Sequence, residues 1–201
     1  MKSMKAVTAT LLMTAALWAE KKPEPFRPAA IETYASKQTN QGLTVAAVAY
    51  DDADEAKAAF GKLNPYEHGI LPVLVLFKNE GTKTLNLEHA RFQYLVPGSR
   101  KLDETPAEDI SRLKGPARPR YNPTPLPTTV PGMRRNKNPL QNPVISERAF
   151  SAKMLPPGES AHGFLYFQTG HTRAASLYIT GITEAQTSQE LFYMEVPLGA
   201  Q

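Results

Sequence analysis

Several groups of residues in this 201-residue sequence have types and spacing that invite chemistry. The first is Gly158-Glu159-Ser160-Ala161-His162-Gly163, which places a serine and a histidine two residues apart. On a strand, residues i and i+2 share a face, so Ser160 and His162 can approach one another. A serine nucleophile also needs an acid to orient its base and a strand-to-helix elbow to expose it. The segment is not G-x-S-x-G, it runs from a turn into a strand, and no orienting acid is identifiable. It reads as an ordinary strand start. The four histidines, His68, His89, His162 and His171, form no spacing such as H-E-x-x-H. Asp51, Asp52, Asp54 and Glu55 offer a carboxylate cluster, yet the glycine and later glutamate of a calcium loop are missing. Acids just before an alanine-rich run suit the positive end of a helix instead. The chain has no cysteine, which removes disulfides, thiolate metal sites and cysteine catalysis. The expectation is a non-enzymatic protein with no cofactor and no metal.

The remaining group is basic. From Ile110 to Ser146 there is no acid, while Arg112, Lys114, Arg118, Arg120, Arg134, Arg135 and Lys137 give +7. Eight prolines fall between Gly115 and Pro143, so the segment cannot be helical and has too few apolar residues to fold alone. It reads as a long, Pro-rich, disordered insertion, either a solvated loop or a recognition segment. In the second case Arg118, Arg120, Arg134, Arg135 and Lys137 are the candidate contact residues, for an envelope protein or an anionic surface polymer. Nucleic acid is disfavoured, since Tyr121 is the segment's one aromatic residue.

The destination of the chain is written at its start. Lys2 and Lys5 precede an apolar run from Ala6 to Trp18, with small residues and then Glu20-Lys21-Lys22-Pro23 behind it. This is the layout of a signal peptide, residues 1–19, and the run falls short of the roughly 20 apolar residues that span a bilayer. Export to the periplasm or beyond follows, with no transmembrane segment after cleavage. The formal charge of +4 then falls to +2, which divides into the +7 segment and a remainder of −5.

The elements that would position these residues are mostly strands. Residues 20–42 are polar with three prolines and read as a flexible arm. Leu43–Tyr50 suits a strand, and 51–60 a helix that buries Ala56, Ala59, Phe60 and Leu63 and ends at Gly61. Ile70–Phe77 is the most apolar run and the expected central strand, with Pro72 near its start. Leu85 and Leu87 share one parity while Phe92, Tyr94 and Val96 take the other, which calls for a turn or bulge over 88–91. Thr105–Leu113 carries helix-start signals, with Thr105 as cap and Pro106 at the first position. Further strands are expected at 144–150, 160–168, 176–180 and 189–197. Seven or so short strands and two short helices indicate one antiparallel β-sandwich over residues 43–198, interrupted by 115–143.

The alanine-rich helix with Phe60, the run Gly69-Ile70-Leu71-Pro72-Val73-Leu74-Val75 with Asn79 and Gly81, and Pro106–Asp109 belong to one pattern. So does Leu155-Pro156-Pro157-Gly158 followed by Gly163-Phe164-Leu165-Tyr166-Phe167. Together they resemble uncharacterised secreted or envelope proteins of bacteria with an immunoglobulin-like sandwich. The resemblance implies a fold and carries no catalytic residue. An interaction or structural module of the cell envelope, contacting partners through its sheet edges, is the leading expectation. The alternative is an accessory domain for glycan or peptide ligands, with Tyr66, Tyr94, Tyr166, Tyr178 and Tyr193 as candidate contacts.

Overall fold

The structure is a computed structural model that describes residues 26–99, 101–113 and 138–199. In chain order the strands are β1 (Lys37–Asn40), β2 (Leu43–Ala49), β3 (Leu71–Asn79), β4 (Leu85–Asn86), β5 (Arg91–Leu95) and β6 (Leu102–Asp103). They continue with β7 (Met154–Leu155), β8 (Ser160–Phe167), β9 (Ser176–Thr180), β10 (Thr183–Glu184) and β11 (Met194–Pro197). The helices are α1 (Ala53–Phe60), α2 (Ala107–Ile110) and α3 (Val144–Arg148). The first sheet has the order β1-β2-β3-β8 and the second β11-β9-β5-β6, while β10-β4-β7 form a small third sheet. All named strand pairs are antiparallel. The chain is a mainly β antiparallel sandwich, as its strand pattern implies.

Strand β3 explains why the sequence is so apolar at 70–77. Leu71, Val73, Val75 and Phe77 point between the sheets, against Phe92, Tyr94, Leu177, Ile179, Met194 and Val196. Leu74 and Leu76 point the other way, into a second core with Ala46, Ala59, Phe60, Ile110, Leu140, Ile145, Phe164 and Tyr166. A strand buried on both faces needs a continuous apolar run rather than alternation. Pro72 sits at the second position of β3, and its carbonyl accepts Tyr50 N–H at 2.8 Å, so the missing donor falls at the strand's start.

The parity change between 85 and 92 is a change of sheet. Asn86 Oδ1 accepts Glu88 N–H at 2.9 Å and Leu87 C=O accepts Ala90 N–H at 3.0 Å, turning the chain from β4 into β5. Asp52 caps α1 through Oδ1, which accepts Asp54 N–H at 2.8 Å and Glu55 N–H at 3.3 Å. Gly61 closes that helix at φ 68°.

Four expectations need correction. The expected arm is folded from residue 26. Phe26 stacks on Phe164 at 5.3 Å, Ile31 is buried, and β1 pairs with β2. The polar sequence of β1 hid this, because its ladder rests on backbone bonds and on the Thr39–Thr44 hydroxyl pair at 2.8 Å. Residues 144–148 are a third helix rather than an edge strand. Burial of Ile145 against Tyr166, whose hydroxyl donates to Ile145 C=O at 2.8 Å, outweighs the β preference of Val144-Ile145. Residues 138–143, expected within the proline-rich excursion, are folded. Asn138 Nδ2 donates to Ser111 C=O and Leu113 C=O, and Leu140 is fully buried. Lastly, α2 begins at Ala107 with Pro106, not Thr105, in the cap position and no side-chain cap, and Thr105 Oγ1 instead accepts from Gln168 Nε2 at 3.2 Å.

Candidate functional site

The two steps that carry the resemblance, Asn79-Glu80-Gly81 and Leu155-Pro156-Pro157-Gly158, meet at one side chain. Asn79 is 1% exposed. Its Nδ2 donates to Lys83 C=O and Leu155 C=O, both at 2.8 Å, and its Oδ1 accepts Gly81 N–H at 3.0 Å. Its backbone accepts Gly158 N–H at 2.8 Å and donates to Glu159 C=O at 3.0 Å. Asn79 thus ties the end of β3 to the third sheet and to the turn before β8. Gly42 and Gly81 cross beside it so closely that a Cβ on Gly42 would lie 2.8 Å from Gly81 Cα. A cavity of about 360 Å³ opens here, lined by Gln41, Lys83 and Glu184 among others, and the Lys83–Glu184 ion pair at 2.6 Å fills its polar side. This is structural machinery.

The serine–histidine pair is on β8, as expected, and both residues are exposed on one face. Their strand partners are Lys78 for Ser160 and Leu76 for His162. No hydrogen bond joins the two, and among the described residues no acid bonds His162. They border a groove of about 340 Å³ whose charged members are Arg27, Glu32 and Lys78, the last two paired with each other. The histidines are spread over a turn after Pro65, the β4–β5 turn, β8 and the loop after β8. No cluster of three potential metal ligands exists among the described residues.

The five candidate tyrosines separate into three places. Tyr166 lies in the second core, where burial raises its hydroxyl well above the ordinary tyrosine range. Tyr66 and Tyr94 pin the loop after β8. Tyr66 Oη accepts His171 N–H at 3.2 Å and Tyr94 Oη accepts Thr172 N–H at 2.8 Å. Tyr178 and Tyr193 stack with ring centroids 5.3 Å apart on the outer face of the second sheet, and Lys101 Nζ sits 3.4 Å above the Tyr178 ring. Tyr193 is 58% exposed and its neighbour Phe192 71%. Around them lie Gln93 and Asp103, bonded at 2.7 Å, and Ser176, which donates to Glu195 Oε1 at 2.7 Å.

Two sheet edges, at β8 and at β11, carry added contacts. Ala149-Phe150 lies along β8, with a parallel bridge at Phe164 and Phe150 N–H on Phe164 C=O at 3.0 Å. Gly163 permits this crossing, since a Cβ there would fall 2.5 Å from Phe150 Cα. On β11 and just before it, two amides are taken by glutamines. Gln38 Oε1 accepts Glu195 N–H at 2.8 Å, and Gln41 Oε1 accepts Phe192 N–H at 3.1 Å. Strand addition therefore has no free template at either place.

One residue escaped the sequence reading. Glu104 continues β6 opposite Phe92, to whose carbonyl it donates its N–H at 3.1 Å. Register places its side chain on the core face of the second sheet. No hydrogen bond or ion pair reaches its carboxyl among the described residues, and burial lifts its pKa to about 7. Parity was the available signal: Leu102 and Glu104 share a face. Arg118, Arg120, Arg134, Arg135 and Lys137, like the signal peptide, lie outside the described residues.

No protein-family model and no curated protein matches the sequence. Among solved structures, the chain is similar to a "putative lipoprotein (ycdA)" from Bacillus subtilis subsp. subtilis str. 168, at 12% identity and a TM-score of 0.38. The match covers 80% of this chain and 38% of that protein's, so the chain spans well under half of its neighbour's length.

Proposed function

We propose that this protein is an exported, non-enzymatic interaction module of the bacterial cell envelope that contacts its partner through the outer face of the second sheet. The observation that carries this reading is the surface aromatic pair Tyr178–Tyr193 beside exposed Phe192, on a face that no described helix covers. Exposed aromatic rings cost solubility and are enriched where proteins meet ligands or each other. Export rests on the signal-peptide pattern of residues 1–19. In the described residues no helix is long and apolar enough to cross a membrane. The basic residues Arg118, Arg120, Arg134, Arg135 and Lys137 supply a second, electrostatic contact in this reading, toward an acidic envelope protein or anionic polymer.

A glycan or peptide ligand on the same face is the second reading. It is favoured by the planar groups around the rings, the Gln93–Asp103 amide–carboxylate pair and the Ser176–Glu195 pair, which offer hydrogen bonds beside a stacking surface. Retention of the purified mature protein on isolated envelope fractions tests both. The double variant Tyr178→Ser, Tyr193→Ser is expected to lose retention while keeping its melting temperature. Full retention by that variant would remove the face from consideration. Competition by soluble glycan, or by protease treatment of the envelope, separates the two readings.

A further inference from the structure

We propose that the Tyr178 ring is the floor of a subsite for a lysine-like side chain of a partner protein, and that Lys101 of this chain holds the place until that side chain displaces it. The inference rests on the outer face of the second sheet being the contact surface, and it names the chemistry that the face selects.

Register sets the residues. Glu195 of β11 pairs with Tyr178 of β9, Tyr178 with Gln93 of β5, and Gln93 with Asp103 of β6. Four side chains thus stand in one row across the sheet, about 5 Å apart from strand to strand. The row sets an aromatic ring and an amide between two carboxylates. Tyr193 widens the ring surface, its centroid 5.3 Å from that of Tyr178 and its plane inclined by 31°. Gln93 Nε2 donates to Asp103 Oδ1 and Ser176 Oγ to Glu195 Oε1, which holds both carboxylates on the face.

A cation already stands on this row. Lys101 follows the β5–β6 turn, in which Ser99 N–H donates to Val96 C=O at 2.9 Å. It shares the parity of Asp103 and so leaves the outer face, and its Nζ sits 3.4 Å from the centre of the Tyr178 ring. The negative face of an aromatic ring attracts an ammonium group. Among the described residues no ion pair reaches Lys101, Asp103 or Glu195. The ammonium therefore rests on the ring with a carboxylate to spare on each side. Arg91, in the next row opposite Thr180, adds a second cation. When Lys101 lifts away, the two carboxylates against Arg91 leave a charge of −1 and an uncovered ring. Lys101 is exposed, and its flexible stem returns its ammonium to water readily. A neutral sugar stacks on the ring but leaves that charge unanswered, and an anion meets both carboxylates. The occupant that fits is the one the chain itself supplies, an ammonium group on an aliphatic stem.

A surface contact that only pins the β5–β6 turn is the simpler role for Lys101. The two roles part when the lysine is removed: a pin leaves no site behind, whereas a place-holder leaves a better one.

The test follows the tyrosine ring signals of the 13C-Tyr-labelled mature protein by NMR during titration with Nα-acetyl-lysine N-methylamide. The neutral Nε-acetylated form of the same compound is the control. The Tyr178 and Tyr193 signals are expected to shift saturably with the charged compound and to stay in place with the neutral one. Lys101→Met should tighten the apparent Kd about three- to sixfold, the competition that one exposed cation–π contact exerts. Equal shifts with the neutral compound, rings unmoved in both proteins, or binding to Lys101→Met no tighter than to wild type would each overturn the proposal. The wild-type titration alone decides the charge requirement, whatever the variant does. Loss of envelope retention in Tyr178→Ser, Tyr193→Ser together with unmoved rings would keep the face as the contact surface and remove the cation subsite, so the two readings fail separately.

Discussion

The outer faces of the two sheets have opposite fates. Behind the first sheet, Leu74, Leu76, Phe164 and Tyr166 lie under α1, α2, α3 and the N-terminal segment, and all are 5% exposed or less. Behind the second sheet, Gln93, Tyr178, Glu195 and Asp103 lie on a face that no described helix covers, with Lys101 and Tyr193 against the Tyr178 ring. Among the described residues, one sandwich thus has two cores and one face without helical cover. The difference teaches where stability resides and where contact with other molecules is open: the described helices pack on the first sheet, and the Tyr178 and Tyr193 rings on the second stack on each other at the surface.

This contrast can be broken most severely at the β8 edge. Gly163→Val should clash with the Phe150 backbone and cost about 3 kcal/mol or more, read as a fall in the urea midpoint. In the covered face, Phe164→Ala removes a ring that stacks on Phe60 at 4.7 Å and on Tyr50 at 5.0 Å, and should cost about 3–5 kcal/mol. Asn79→Ala strands the buried Leu155 carbonyl and the part-buried Lys83 carbonyl and should cost about 2–3 kcal/mol.

Glu104 sharpens the contrast through pH. An unfolded glutamate titrates near 4.3, whereas folded Glu104 titrates at about 7, so between these values the folded protein holds the extra proton. Stability should therefore decline as pH rises from roughly 4.5 to 7 and then level off, by at most about 3–4 kcal/mol. Glu104→Gln should flatten that slope in a series of urea melts. The smallest effect belongs to the bare face, where Tyr178→Ser with Tyr193→Ser should change stability by about 1 kcal/mol or less.

Much of this was legible beforehand, and the reasons for the failures are physical. Strands β3, β8 and β9 were readable because burial dictates their residues, and α1 because Asp52, the alanines and Gly61 each act locally. β1 was not, since Lys37-Gln38-Thr39-Asn40 carries no apolar signal and pairs through its backbone. α3 was misread because the burial of Ile145 beneath Tyr166 is a tertiary fact invisible to β propensity. Of the candidate site, only Tyr178 and Tyr193 were named in advance. Their union depends on the register of β9 with β11, where Tyr178 opposes Glu195. Tyr66, Tyr94 and Tyr166 have the same composition signal and different work.

The central claim is that the second sheet's outer face is the contact surface. A photo-crosslinking amino acid placed at Tyr193, and separately at Lys57 on the covering helix, tests it in intact cells of the native host. A discrete adduct from position 193, with none from position 57, is the result expected. Adducts from position 57 alone, or equally from both, would contradict it.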